Sequence, residues 1–207
     1  MRDVPWWGVL SSAAAPVLLV GGWTVAATLQ PGSFDQVTQT ISALAARGAT
    51  DRWVMSLALL CVGACHVITG LALRPAASPG RILLMTGGVA TVLVAAFPVP
   101  AGGGRSVPHT VAAAVAFIAL AAWPALGGRR GPAVPWVLRP AACVGASAAL
   151  LCLLGWFYVE LGTGGMQFGL AERVAAGAQA LWPFVVVITC YRRHDWDRIF
   201  CVAATVS

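Results

Sequence analysis

Apolar residues run along this chain in long, nearly unbroken stretches. Neither the alternation of a half-buried strand nor the one-sided period of a surface helix organises them. Six stretches can be drawn, at roughly 8–29, 52–73, 82–98, 108–126, 137–160 and 170–191. Each approaches the ~20 residues that a spanning helix needs, and polar residues collect between them. The pattern predicts an all-α integral membrane protein, a six-transmembrane-helix bundle. It forms a single domain over 1–191, followed by a short tail at 192–207. The first stretch is too long for a signal peptide core, and five more follow it, so it reads as a retained span.

The longest connection, between the first two spans, has a pattern of its own. Ser33-x-x-Gln36 has the form of a capping box. Phe34, Val37, Ile41, Leu44 and Ala45 then recur at helical spacing, with Asp35, Thr38, Gln39 and Ser42 on the other face, and Gly48 suits a helix end. The spacing predicts a short amphipathic helix over 34–46 that covers the mouth of the bundle, with Phe34 and Ile41 turned inward. Within the spans, Gly63/Gly70, Ala112/Ala116, Gly145/Ala149 and Gly177 are the expected helix contacts. Small residues let backbones approach where lipid removes the hydrophobic incentive to pack.

Composition agrees with the pattern. Only 10% of the 207 residues are charged and 59% are hydrophobic, against about 25% charged in a soluble domain. Mean hydropathy is +0.82. These values exclude a soluble globular domain, a disordered chain and a coiled coil. The net charge of +6 comes entirely from arginine. The arginines lie singly or in pairs between apolar runs, not in a stripe, so no nucleic-acid partner is expected. Arg2, Arg74, Arg81, Arg129, Arg130, Arg139, Arg192, Arg193 and Arg198 fall on one side of the membrane, and Arg47, Arg52, Arg105 and Arg173 on the other. That imbalance predicts a multi-pass protein of the bacterial cytoplasmic (inner) membrane with both termini cytoplasmic. Trp6, Trp7, Trp136 and Trp196 then suit an inner aromatic belt, and Trp53 and Trp156 an outer one. Asp35, Asp51, Glu160 and Glu172 map to the outer side, an asymmetry that insertion does not require.

Five of the six cysteines lie inside apolar runs, where thiols behave as small hydrophobes, so no disulfide framework is expected. Cys61-x-x-x-Cys65-His66 lacks the further ligands of a tetrahedral site. No metal and no cofactor are expected. His66, deep in the second span, is expected to hydrogen-bond a neighbouring helix.

Thr40-Ile41-Ser42-Ala43-Leu44 after the first span, Phe97-Pro98 ending the third and His109 opening the fourth form an ordered set. Phe117, Gly169-Leu170-x-Glu172-Arg173 opening the sixth span, and Trp182 inside it complete the set. Over roughly 8–191 the chain resembles the bacterial six-helix family called domain of unknown function 998. The resemblance implies a six-helix fold and implies no particular reaction.

Polar groups at the outer ends of spans are functional candidates, because such groups are costly near hydrocarbon. Glu160, His109 and Glu172 are the candidate catalytic residues. Asp35, Trp23, Phe34, Phe97, Trp156, Phe157, Tyr158, Arg173 and Trp182 are the candidate substrate-binding residues. Glu160 follows Trp156-Phe157-Tyr158-Val159, and an aromatic wall around a carboxyl group suits a general acid. Glu172 opens a helix, where the macrodipole favours a carboxylate, and Arg173 stands ready to pair with it. The expected cavity is bounded by spans one, four, five and six, with Trp23 and Trp156 on its wall.

No serine-nucleophile elbow, phosphate-binding loop, dinucleotide fingerprint or paired acidic motif for a diphosphate–magnesium substrate appears. The glycines at 102–104 read as a flexible turn. Three classes follow. The first is a membrane-embedded enzyme acting on a lipid-soluble, isoprenoid-type substrate by acid-initiated, terpene-cyclase-like chemistry. The second is a lipid-binding or assembly subunit. The third is a small-molecule transporter, which usually carries a midplane site between repeats that this chain does not display. The partners are the membrane and a lipid-soluble small molecule or lipid; nothing sets the oligomeric state.

Overall fold

The computed structural model describes residues 4–32, 34–101 and 106–204, the segment 192–204 by its backbone alone. Expectations resting on Arg2, Asp3, Ser33, Arg105 and the glycines at 102–104, and on side chains beyond Tyr191, lie outside the described residues.

All regular structure among the described residues is helical. Helices α1 (Trp6–Thr28), α3 (Trp53–Ala72), α4 (Ser78–Ala96), α5 (Val107–Gly127), α6 (Pro140–Thr163) and α7 (Phe168–Ala204) follow one another, with α2 (Ile41–Leu44) between α1 and α3 and a single 3-10 turn (Trp136–Leu138) before α6. Six of them are long and apolar enough to cross a membrane, α7 through its Phe168–Tyr191 portion. The chain is a multi-pass membrane protein. Each span packs on its neighbour in sequence, and α7 returns to α1, so the six close into a ring.

Three differences from the sequence reading are the largest. Helix α4 begins at Ser78, not 82, because Pro79 sits in the first turn, where its missing N–H costs nothing. The Arg81 side chain turns back to the Gly70 and Leu71 carbonyls (2.9 and 3.0 Å), so a charged residue is accommodated inside the helix. Helix α7 does not stop at 191 but continues through Ala204, so the tail is helical over 192–204.

The third difference is the loop. The expected helix over 34–46 is reduced to the four residues of α2, preceded by turns over 36–39. Its cap is Thr40, whose hydroxyl accepts from the Ala43 N–H at 3.1 Å. Phe34 and Ile41 do face the core, whereas Val37 is exposed.

Small residues set the closest approaches. A Cβ added at Gly63 would lie 2.5 Å from the Gly88 carbonyl oxygen, and one at Gly70 would lie 2.5 Å from the Met85 side chain. Ala112 and Ala116 are buried. Gly145 faces open space, so the expected Gly145/Ala149 contact does not form within the chain. Helix α6 is the least covered span.

Candidate functional site

The segment 34–46 crosses the end of the bundle where α1 stops and α3, α5 and α7 begin or end, here called the α2 end. Its backbone is fastened to α7. The Leu170 N–H donates to the Val37 carbonyl at 3.0 Å. Gly169 lies against Gln39 so tightly that an added Cβ would collide with the Gln39 backbone, which is why the first turn of α7 requires glycine there.

Arg173 secures the segment from below. One terminal nitrogen, Nη1, donates to the carbonyls of Gln36 (2.8 Å), Gln39 (2.6 Å) and Gly169 (3.0 Å). The guanidinium lies between the rings of Trp23 (6.0 Å to the centroid) and Phe34 (5.8 Å), and the residue is only 7% exposed. Its Nε and Nη2 are buried with no hydrogen-bond partner among the described residues. Cation–π attraction strengthens when water is excluded in this way. At the exposed edge of the same segment, the Asp35 carboxylate accepts from the Val37 N–H and the Thr38 hydroxyl, each at 2.8 Å. Those two bonds, the backbone one first, hold its pKa below the ordinary carboxylate value of 3.8.

Glu172 occupies the next position on α7 and is 4% exposed. Its Oε2 accepts from the Ile41 N–H, and its Oε1 accepts from the Ser42 hydroxyl at 3.4 Å. Ser42 Oγ also stands 3.3 Å from His109 Nε2, and His109 Nδ1 stands 2.9 Å from the Phe97 carbonyl. A carbonyl only accepts, so Nδ1 carries a proton. The hydroxyl has one proton to give. If Ser42 donates to Glu172, Nε2 must be the donor to Ser42; if Ser42 donates to Nε2, Glu172 must be the donor to Ser42. Ser42 Oγ therefore stands between the Glu172 carboxyl and the His109 imidazole.

Beneath this roof lies a cavity of about 70 Å³. Its wall is mostly apolar, with Leu19, Leu59, Val62, Ala116 and Phe117 among the lining side chains. Ser42, His66, Thr91, Glu172 and Gln179 supply the polar groups. The expected boundary differs: α3 and α4 line the cavity, and α6 contributes no lining residue.

Glu160 and Glu172 stand in different surroundings. Glu160, half-buried at the end of α6, accepts from the Gln167 N–H at 3.0 Å and so closes the α6–α7 turn, where Gly164 adopts φ 65°. It does not line the cavity. Phe157 is buried and packs at 5.5 Å from both Phe117 and Tyr158, while Tyr158 itself is exposed. Trp156 and Trp182 pack partly buried in the α6–α7 region. Phe97 contributes its carbonyl, not its exposed ring. Trp23 and Phe34 meet Arg173, not the cavity.

Ser42 as the link between two titratable groups, and Gln179 on the cavity wall, are what the sequence reading missed. Gln179 has a signal, since it lies two turns below Glu172 on one face of α7. Ser42 stands in the Thr40–Leu44 motif, but nothing in the sequence joins it to partners 130 and 67 residues away.

The fold and site define a six-span membrane protein with a roofed, mostly apolar internal cavity and a buried carboxyl at its upper end. The chain belongs to the family described as protein of unknown function DUF998, whose model matches residues 13–189. No curated protein and no solved structure matches it.

Proposed function

We propose that this protein receives a lipid-soluble, isoprenoid-type small molecule beneath the α2 segment and acts on it by acid chemistry from Glu172. The observation that carries the reading is the enclosure of a carboxyl group, linked through a hydroxyl to an imidazole, at the head of an apolar cavity. Two carboxyls at one end are divided by their surroundings, the arrangement that acid–base chemistry uses. Glu172 lines the cavity and Glu160, bonded into its turn, does not, so the acid's role goes to Glu172.

The reaction keeps all atoms in the product. Glu172 gives its proton to an alkene carbon or an epoxide oxygen, and the electron pair of a neighbouring alkene forms the new C–C bond. The Phe117 ring faces the resulting cation. The cation then loses a proton to the Ser42–His109 pair, which returns it to Glu172. About 70 Å³ is well below the ~300–1,000 Å³ of a pocket for a drug-sized ligand. Entry of a prenyl chain therefore requires the α2 segment to lift, and the Arg173, Gly169 and Glu172 contacts govern that step. By the arginine imbalance, the α2 end faces away from the cytoplasm in a bacterial inner membrane, with both termini inside.

A second reading has one observation in its favour. Both Glu172 oxygens already accept hydrogen bonds from the α2 segment, as a latch in a non-catalytic lipid-binding subunit would.

A diazirine-bearing prenol and a prenyl epoxide, each incubated with the protein in lipid nanodiscs, test the proposal. Crosslinking to Phe117 or Ala176, with conversion of the epoxide to a product of equal mass that Glu172→Gln abolishes, is the expected result. Crosslinking without conversion selects the lipid-binding reading. No crosslink at the cavity refutes both.

A further inference from the structure

The deep end of the cavity holds polar groups that neither the latch nor the acid chemistry uses. His66 is 1% exposed and lines the cavity. Its imidazole makes no protein hydrogen bond among the described residues, and Nδ1 is buried without a partner. The expected bond from His66 to a neighbouring helix is therefore absent. Gln179 gives its amide N–H to the Phe117 carbonyl at 3.1 Å, which leaves its amide oxygen as an acceptor. Thr91 gives its hydroxyl proton to the Gly87 carbonyl at 2.9 Å and keeps lone pairs to offer. The three come from α3, α7 and α4 and line the same cavity as Glu172 and Ser42.

Depth makes this arrangement costly unless something fills it. From Trp53 to His66 the helix descends ~20 Å, and from Phe168 to Gln179 ~16 Å, at about 1.5 Å per residue. An imidazole with no partner at that depth pays for its desolvation with nothing in return. A bound water needs two to four polar partners and takes up about 30 Å³. His66, Gln179 and Thr91 offer three such partners. A cavity of about 70 Å³ exceeds the ~10–15 Å³ that one water requires on the same measure, so it has room for more than one.

We infer that this cavity is a water-binding site in which one molecule is held by His66, Gln179 and Thr91 and another lies beneath Ser42 and Glu172. Water then joins the carboxyl at the roof to the imidazole at mid-depth. As a proton arrives at the Glu172 carboxyl, the carboxyl's own proton passes to water, water releases one of its own and an imidazole nitrogen gains it, which leaves the carboxyl neutral. The other charged or titratable groups near Glu172 are Arg173 on α7, Asp35 in the loop and His109 on α5, reached through Ser42. Near His66 they are Cys61 and Cys65 on its own helix; α1 brings none, and α4 brings only Arg81 at its far end. The inference goes beyond the proposed function and concerns the protein before a ligand enters from the roof.

Radiolytic hydroxyl footprinting in lipid nanodiscs tests it, because water split in place marks the side chains it touches. His66 and Phe117 are expected to be modified, while Met55, fully buried outside the cavity and more readily oxidised, stays unmodified. Ala116→Leu, which fills the cavity, should remove the His66 and Phe117 modification; Val62→Ile, a gentler filling, should reduce it if the first variant fails to fold. His66 and Phe117 no more modified than Met55 in the wild type would show a dry cavity and overturn the inference. Infrared difference spectra after a pH jump read the proton path. Imidazole bands identified by their loss in His66→Phe should also be lost in Glu172→Gln, and their persistence there would overturn the link between the two groups.

Discussion

The two ends of the bundle are held together differently. At the end opposite α2, Leu73, Leu84, Trp123, Val137, Leu138 and Val186 form one buried apolar cluster. Its connections are fixed by ordinary backbone bonds, such as Ala77 N–H to the Gly127 carbonyl at 3.0 Å and Arg129 N–H to the Leu138 carbonyl at 2.8 Å. The Arg129 side chain reaches the Ala76 carbonyl at 3.2 Å from an exposed position. At the α2 end an arginine also binds carbonyls, but it is buried, its three carbonyls belong to a turn and to its own helix, and a buried glutamate lies beside it. Apolar packing is non-directional and resists opening everywhere at once. A segment held by a few directional, charge-assisted bonds opens when one of them changes. The contrast marks one end as scaffold and, in the proposed function, the other as a gate.

Substitutions at the two ends should therefore separate stability from access. Arg173→Met removes the three carbonyl bonds, a change expected to cost ~3 kcal/mol or more, since a hydrogen bond to a charged group contributes ~1.5–3 kcal/mol. Denaturant titration in micelles should show that loss together with an opened α2 segment. Trp123→Ala, at 1% exposure in the opposite cluster, should cost a comparable ~3–5 kcal/mol through the space it leaves, yet leave the α2 segment as protected from proteolysis as in the wild type. Equal exposure of the segment in both variants would erase the distinction between the ends.

Gly169→Ala should have an intermediate effect of ~1–3 kcal/mol, because the new methyl meets backbone and not a flexible side chain. Hydrogen exchange should localise its effect to 36–42. Ser42→Ala should cost about 1 kcal/mol, the net worth of an ordinary hydrogen bond, while cutting the link between Glu172 and His109. In the proposed reaction it should therefore lower turnover far more than stability.

The smallest effect is that of pH on Asp35. Its carboxyl is held below its ordinary value by the Val37 N–H and the Thr38 hydroxyl. A depressed carboxylate stabilises the fold above its unfolded pKa, and that contribution disappears as pH falls through the folded one. Wild type and Asp35→Asn should differ in pepsin cleavage of the 35–46 segment above the ordinary carboxylate value of 3.8 and converge as the pH falls progressively below it. A difference that persists or grows in acid would contradict the sign.

The scaffold was legible in the sequence because its determinants are local. The second and fourth spans were expected at 52–73 and 108–126 and are found at Trp53–Ala72 and Val107–Gly127. Long apolar runs specify spans without any knowledge of their neighbours. The gate was legible only in its parts. Phe34, Val37, Ile41 and Leu44 have helical spacing, yet the carbonyls of Gln36 and Gln39 turn toward Arg173 and the helix shrinks to α2. Those partners are 137 and 134 residues apart, and no periodicity in the loop encodes them. The same limit explains the two glutamates. Trp156, Phe157 and Tyr158 made Glu160 look enclosed, but helical geometry sends neighbouring residues in different directions, and Tyr158 points outward.

The claim that a charge-held segment gates a cavity is tested most directly by the reactivity of one buried position in that segment. Ala45 is 1% exposed. In a background without the native cysteines, Ala45→Cys in lipid nanodiscs should react slowly with a membrane-impermeant maleimide, and at least about tenfold faster when Arg173→Met is added, since removal of a charge-assisted hydrogen bond worth more than ~1.4 kcal/mol shifts an opening equilibrium by that factor. Labelling that is already fast in the parent, or unchanged by Arg173→Met while the protein remains folded, would contradict the account.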